Sequence, residues 1–391
     1  MKINKVIIFT DEAFPHGMAA TNRIISYIKG FTHHNVKARV ICLRSTEIKD
    51  NAKNNDINGV YDDMSYRYLS TSTIKPEGFV QKRVRNTYSN ILLFFYSLRN
   101  IDNSTISIYY SSHTIPAMIL WLTNKIKGGK LLKEESEHPE VYVKGKGLIS
   151  KILFKKIQYQ LFDVHLLMTK NLISYFKDIS KIPVLHVPMT VDLKRFDPNL
   201  RKHHSKINKI LYTGQLDDNK DGVDILLNAF ATIVEKHSSY HLYLYGPAKS
   251  EESMQKYYDL VEGLGISKHV HFEGLVTREV ITEKVLNARL LVLPRPDSLQ
   301  AQNGFPTKLG EYLASGNPTL VTSVGEIPDY LIDRENTFMA IPGDVRSLEK
   351  KLLEIVENYD LAKEVGINGR KAAETYFNNI NQTKNILNFF N

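Results

Sequence analysis

Lys308 and Glu311 are the side chains whose chemistry is easiest to name in this 391-residue sequence. They lie three residues apart in RLLVLPRPDSLQAQNGFPTKLGEYLASGNPTLVT, residues 289–322. The stretch reads as a strand over 290–293, a loop to Pro306, a helix, and then Gly316 before a new strand. Proline just inside a helix start and glycine just past its end is the expected asymmetry. A helix N-terminus offers free N–H groups and a positive dipole end, which suit a phosphate. Residues three apart share one helix face. A lysine there can neutralise a phosphate, and a carboxylate can accept two hydrogen bonds from a ribose diol. The alternative is a solvated Lys/Glu pair.

The first half holds a second set. After the opening apolar run come Asp11 and Glu12, then Gly17, Ala19, Ala20 and Arg23. Small residues there let a backbone approach a ligand closely. The run is not GxGxxG, so a dinucleotide site is not indicated; a tight turn without a ligand is the alternative. Arg23, one helical turn in, could reach an anionic acceptor or stand solvated. Lys133-Glu134-Glu135-Ser136-Glu137-His138-Pro139-Glu140 closes another strand. Its carboxylates repel one another and are awkward to hide in a core. One of them could accept a proton from an acceptor hydroxyl, unless the run is only a solvated acidic loop. No second ligand cluster accompanies it, so no metal is expected. His113, after Tyr109-Tyr110-Ser111-Ser112, reads as a buried, satisfied histidine rather than a site residue.

The elements that must position these residues alternate. Strands are expected at 4–10, 37–43, 106–110, 130–134, 164–168 and 183–187, and again at 208–213, 240–246, 269–273, 289–293, 318–322 and 337–341. Helices fall at 17–33, 220–236, 251–264, 277–287, 306–315 and 346–357. The Asn/Asp-rich stretch 50–65 reads as a loop. Strand, helix, strand at this spacing means parallel sheets covered on both faces. The pattern occurs twice and breaks near 188–207, where Pro188, Pro198 and the polar run 201–206 intervene. The expectation is an α/β protein of two doubly wound, Rossmann-like domains facing a cleft, with ligands at the carboxyl ends of the strands. The boundaries are a first domain over 1–190, a second over 191–370, and a C-terminal helix in 371–391 packing back on the first domain.

Composition agrees with two cores, since single cores stop growing beyond about 250–300 residues. At 42% hydrophobic and 24% charged the chain is ordinary globular material, neither disordered nor coiled coil. A single cysteine, Cys42, excludes a disulfide framework and a thiolate metal cluster. No apolar run approaches the roughly 20 residues that span a bilayer. The apolar run Val6-Ile7-Ile8-Phe9 is too short for a signal-peptide core and reads as a first strand, so a cytoplasmic protein is expected. Charge is uneven: residues 1–200 carry 29 Lys and Arg against 17 Asp and Glu, and the rest carry 22 against 25. Lys82, Arg83, Arg85 and Arg99 surround apolar and aromatic residues in 79–99. Lys144, Lys146, Lys151, Lys155 and Lys156 do so in 144–162. Such segments can lie on an anionic membrane. Nucleic acid is not expected, because no reading module is present.

The stretch 289–322 resembles the family-4, GT-B-fold glycosyltransferases of capsule and cell-surface polysaccharide type. Further carriers are Tyr212-Thr213-Gly214-Gln215-Leu216 followed by Lys220-Asp221-Gly222, the strand 242–246 with Pro247, and Val270-His271-Phe272-Glu273-Gly274. Val191-Asp192-Leu193-Lys194-Arg195-Phe196 and Gly325-Glu326-Ile327-Pro328 complete the set. Together they cover most of 188–345 in the family's order. The resemblance implies that Lys220 touches the donor diphosphate and Glu311 binds the ribose. It implies that the backbone from Gly274 to Val276 meets the base. Gly304, Phe305 and Pro306 would form the turn beneath sugar and phosphates, with Thr307 and Lys308 opening the helix beside them. Gly17 would face the donor phosphates, and Glu134 and Glu137 match an E-x-x-E-x-P pattern at the acceptor.

Two positions depart from the family pattern. Asn303 stands where a glutamate is usual, and Gln215 where an arginine is usual. Arg295 is the candidate to replace that cation, unless it forms a surface salt bridge with Asp297. The implied activity is retaining transfer of a sugar from a nucleotide diphosphate sugar to a lipid-linked or oligosaccharide acceptor. It would need no resident cofactor, and would run in the cytoplasm on the inner face of the membrane. A non-catalytic donor-binding subunit and a sugar-nucleotide epimerase are the alternatives; a phosphorylase would need a longer chain.

Overall fold

Runs of apolar residues that a parallel sheet buries on both faces account for most strands of the computed structural model, which describes residues 2–139, 158–201 and 208–390. The chain divides into two units, Met1–Thr190 with Asn379–Asn391, and Val191–Asn378.

The first unit runs β1 (Lys5–Thr10), α1 (Ala19–His33), β2 (Lys37–Cys42), β3 (Asn58–Tyr61), β4 (Met64–Tyr68), α2 (Phe79–Asn100), β5 (Thr105–Tyr110), α3 (Thr114–Lys127), β6 (Lys130–Glu135), β7 (Val164–Leu167), α4 (Lys170–Ile179) and β8 (Val184–His186). The sheet order is β3-β4-β2-β1-β5-β6-β7-β8. β1 lies near the middle, with Lys5 opposite Lys37 of β2 and Thr105 of β5. Its alternating side chains serve two cores. Val6 and Ile8 pack with Ile24, Ile28 and Phe31 of α1. Ile7 and Phe9 pack with Leu93 of α2 and Leu120 of α3.

The expected loop over 50–65 needs correction. β3 and β4 form an antiparallel hairpin, with Tyr61 opposite Met64. Asp62 and Asp63 at its tip have φ of 49° and 64°. A two-residue hairpin of this kind needs positive φ at both central positions, which Asp tolerates. The composition that suggested a loop is the turn chemistry of the hairpin.

The second unit runs β9 (Asn208–Thr213), α5 (Asp218–Asp221), α6 (Val223–Lys236), β10 (Tyr240–Tyr245), α7 (Glu251–Gly263), β11 (Val270–Gly274), α8 (Arg278–Leu286), β12 (Leu290–Leu293), α9 (Leu299–Asn303), α10 (Thr307–Ser315), β13 (Thr319–Thr322), α11 (Ile327–Tyr330), β14 (Phe338–Ala340), α12 (Val345–Glu357) and α13 (Tyr359–Ala372). Its sheet, β11-β10-β9-β12-β13-β14, is parallel throughout. β9 and β12, adjacent at its centre, mark the point where strand order reverses, the usual place for a ligand in an open sheet. The last helix, α14 (Asn379–Asn388), belongs to the first unit and packs on α1, where Asn379 Nδ2 donates to Ser26 O at 2.9 Å. Residues 371–378 stay with the second unit.

Candidate functional site

β9 and β12 deliver two loops to one place, and α10 begins beside them. After Thr213 the chain turns through Gly214, whose φ is 136°. A Cβ there would collide with the Lys308 ammonium, so the close approach of that lysine requires glycine. Asp217 then caps α5 by accepting from the Asn219 and Lys220 N–H groups. The cap brings Asp221 under α10.

Asp221 is the hub. Its Oδ2 lies 2.6 Å from Lys308 Nζ and 2.8 Å from the Tyr212 hydroxyl, and its Oδ1 lies 3.8 Å from Arg295 Nε. Lys308 also donates to the Tyr212 hydroxyl at 3.1 Å. Burial raises the Asp221 pKa, but Lys308, Tyr212 and Arg295 outweigh it and leave the carboxyl below its usual range. Burial draws the Lys308 ammonium down against the pull of Asp221. The lysine side chain keeps 17% of its surface exposed, whereas Asp221 keeps 3%.

Lys308 and Glu311 are therefore not a solvated pair; each has its own partner. Glu311 Oε1 accepts from Arg195 Nη1 at 2.8 Å. Arg195 is fixed in turn by Thr282 Oγ1 at 2.6 Å and the Arg278 carbonyl at 2.8 Å.

Arg295 does not form the surface salt bridge with Asp297. It is 3% exposed, and its partner is Asp221 rather than Asp297. Its Nη1 donates to Gly304 O at 3.0 Å, and Nε and Nη2 face the carbonyls of Lys220 and Gln300 at 3.4 and 3.5 Å. It ties α5 to the end of α9, and burial lowers its pKa against Asp221. Among the described residues, Lys220 alone of these three cations has no side-chain partner. Phe305 sends its ring between Tyr330 and Phe377, at 5.5 and 5.3 Å, and so anchors the turn before α10. Pro306 caps that helix and Thr307 is its first residue. Gln215 is half-buried, with its carbonyl 2.7 Å from the Tyr212 hydroxyl. Gly274, with φ of 65°, ends β11, and Val276 follows half-buried. Asn303 ends α9.

In the first unit the carboxylates separate. Glu134 is not at an acceptor-facing surface, and Arg23 is neither solvated nor free. Arg23 Nε donates to Glu134 Oε1 at 2.7 Å, and the two side chains are 1% and 0% exposed. Tyr27 donates to Glu134 Oε2 at 2.9 Å, and the remaining Arg23 donors reach the Val187 and Pro188 carbonyls. Glu135 is equally buried, 2.8 Å from Lys133 Nζ. The repulsion that argued against a core position is answered by a cation on each face of β6. Glu137 alone of the three is exposed. It faces Glu12, whose pKa is raised by burial, by Asp11 and by Glu137. His113 is not buried: its Nε2 lies 3.2 Å from Asp11 Oδ2. Gly17 packs against Thr21, which donates to Ala13 O at 2.8 Å; a Cβ there would strike both partners. Glu140 and the lysines between 144 and 156 lie outside the described residues.

Sequence reasoning missed the roles of Asp221, Tyr212 and Arg195. Each sits inside a quoted motif, but its partner is distant in sequence. An Asp beside a Lys in a Gly-bounded turn was the only available signal for Asp221.

Residues 207–358 match the family model described as Glycosyl transferases group 1. An uncharacterized glycosyltransferase of Methanocaldococcus jannaschii is 23% identical over 342 residues, 80% of this chain and 92% of that protein. The capsular polysaccharide biosynthesis glycosyltransferase CapM of Staphylococcus aureus is 24% identical over 224 residues, 54% of this chain and 55% of CapM. In fold, the chain is similar to HepE from Anabaena, solved in complex with UDP, with a TM-score of 0.71 at 12% identity over 100% of this chain and 99% of that one. Over residues 207–358 the chain is similar to the group 1 glycosyltransferases, and its two α/β sheets share the GT-B fold of the solved glycosyltransferases it matches.

Proposed function

We propose that this enzyme takes a sugar from a nucleotide diphosphate sugar, bound at the carboxyl edge of the second unit's sheet, and passes it to a lipid-linked glycan. The setting is cell-surface polysaccharide assembly at the inner face of the membrane. One observation carries the donor reading: α10 presents Lys308 over the Asp221 hub and Glu311 beside Arg195, one turn apart. Glu311 takes the ribose diol. Lys220, Lys308 and Arg295 leave two positive charges over the one carboxylate of Asp221. With the N-terminal N–H groups of α10, they stabilise the diphosphate as charge develops on it in the transition state. Asp221 holds Lys308 before the donor arrives, so little reorganisation accompanies bond cleavage. Lys220 closes on the phosphates, and Arg295 acts through Gly304 and Asp221. Gly274 to Val276 line the base. Glu137, exposed and with Glu12 beside it, takes the acceptor's proton in this reading.

UDP is the first nucleotide to test, since the Anabaena protein was solved with it. CapM's capsular role supports a polysaccharide acceptor. The basic first half supports a membrane setting. Gln215 and Asn303 favour one second reading, a donor-binding subunit without turnover. A panel of nucleotide sugars, incubated with and without membrane lipid extract, separates the two. Lipid-dependent release of nucleoside diphosphate, lowered about a hundredfold by Lys220→Ala, supports the transferase. Donor binding without turnover supports the subunit, and turnover without lipid or glycan supports an epimerase.

A further inference from the structure

Helices α2 and α3 pack side by side on one face of the first unit's sheet, and their outward faces are apolar where a solvated helix would be polar. On α2, Val80, Val84, Tyr88, Ile91 and Phe95 recur at helical spacing and are exposed, Phe95 by 62%. On α3, Ile115, Met118, Trp121, Leu122 and Ile126 form the matching stripe. These 22 and 14 residues contain six Lys or Arg and no Asp or Glu. Contiguous exposed apolar surface of this kind marks an interaction site.

The α2 stripe ends at a groove between that helix and the β2–β4 edge, lined by Val60, Phe95, Tyr96 and three arginines, Arg39, Arg67 and Arg99. Arg39 and Arg67 lie on adjacent strands and the same sheet face, two residues apart in register. Arg39 donates to the Tyr96 hydroxyl at 3.4 Å, and all three arginines are exposed. Guanidinium groups converging beside an apolar wall match a phosphate carried on a hydrocarbon. Among the described residues no helix is long and apolar enough to cross a membrane.

We propose that the α2–α3 face is a lipid-docking surface. Its apolar stripes enter the acyl boundary of an anionic phospholipid layer, and Arg39, Arg67 and Arg99 hold lipid phosphates beside them. Charge complementarity selects this occupant: two helices with cations and no carboxylates suit an anionic interface, and an exposed tryptophan is a side chain such an interface favours. The proposal gives the membrane setting of the proposed function a specific surface, yet lipid binding by it does not depend on the transfer chemistry.

Trp121 is the only tryptophan in the chain, so the full-length protein carries its own reporter. The probes are phosphatidylcholine vesicles with and without phosphatidylglycerol, their acyl chains brominated. The proposal expects Trp121 fluorescence to shift blue and to be quenched, most strongly with phosphatidylglycerol and least at high salt. Val84→Glu with Ile91→Glu should weaken binding to both vesicles about tenfold or more. Arg39→Gln with Arg67→Gln and Arg99→Gln should weaken phosphatidylglycerol binding about a hundredfold and spare the neutral component. All variants should bind UDP as the wild type does, which checks that they fold. If the wild type binds UDP but ignores vesicles, docking fails while the donor reading stands. Co-sedimentation without quenching means another surface binds lipid, and the proposal falls. It falls equally if the glutamate pair leaves lipid binding intact and instead splits a dimer in sedimentation velocity.

Discussion

Both units hold a carboxylate against cations beside a parallel sheet, but to different depths. In the first, Glu134 and Arg23 are sealed, with Tyr27 and two backbone carbonyls completing the shell. In the second, Asp221 is as buried, but its partner Lys308 still reaches solvent and Lys220 stands unpaired beside it. A sealed pair can only hold elements together. A pair with one open side and surplus positive charge can also receive an anion. Both places join a carboxylate, a cation and a tyrosine hydroxyl; access and the sign of the remainder distinguish a clamp from a proposed site.

The contrast can be broken most forcefully in the first unit. Arg23→Leu leaves Glu134 buried without its cation, which should cost about 3–5 kcal/mol, read in denaturant unfolding. Arg23→Leu with Glu134→Leu should recover much of that loss. An Arg23→Leu protein as stable as wild type would mean the pair is not a clamp. Asp221→Asn in the second unit should cost less, about 1–3 kcal/mol, because Lys308 can turn to water. It should cut turnover about a hundredfold. Equal loss of stability in both units, with turnover kept at Asp221→Asn, would erase the distinction.

A smaller effect sharpens the account of β6. His165 is buried beside Lys133, and burial, then that cation, push its pKa down to about 3. A folded-state pKa below the unfolded value favours the fold above that unfolded value. Stability should thus decline as pH falls from about 6.5 toward 3, by up to about 1.4 kcal/mol per pH unit. His165→Asn should flatten this slope in unfolding midpoints taken across that range, and an unchanged slope would assign it to other groups.

Strands with both faces buried were legible because nothing but apolar runs can occupy them, and the observed bounds of β1, β9 and β12 lie within a residue of those read from pattern. The β3–β4 hairpin was not legible: its tip uses Asp at two positive-φ positions, and Asp-rich sequence reads as loop. The helix bearing Lys308 and Glu311 was legible from Pro306 and Gly316. Their partners were not. Arg23 meets Glu134 across 111 positions and Arg195 meets Glu311 across 116, and no local pattern says which cation a carboxylate will find. The β6 charges misled for that reason at Glu134, since repulsion within a strand is visible in sequence and compensation by Arg23 from a neighbouring helix is not.

Calorimetric titration of UDP into wild type and Glu311→Ala decides whether α10 holds the donor as proposed. The wild type should bind, and Glu311→Ala should lose roughly 1.5–3 kcal/mol of binding free energy, the worth of a charged hydrogen-bond acceptor on a diol. Its unfolding midpoint should fall modestly, because Arg195, 10% exposed, loses its carboxylate but keeps its bonds to Thr282 and the Arg278 carbonyl, so affinity is read below that midpoint. Equal UDP affinity in the two proteins would place the donor elsewhere.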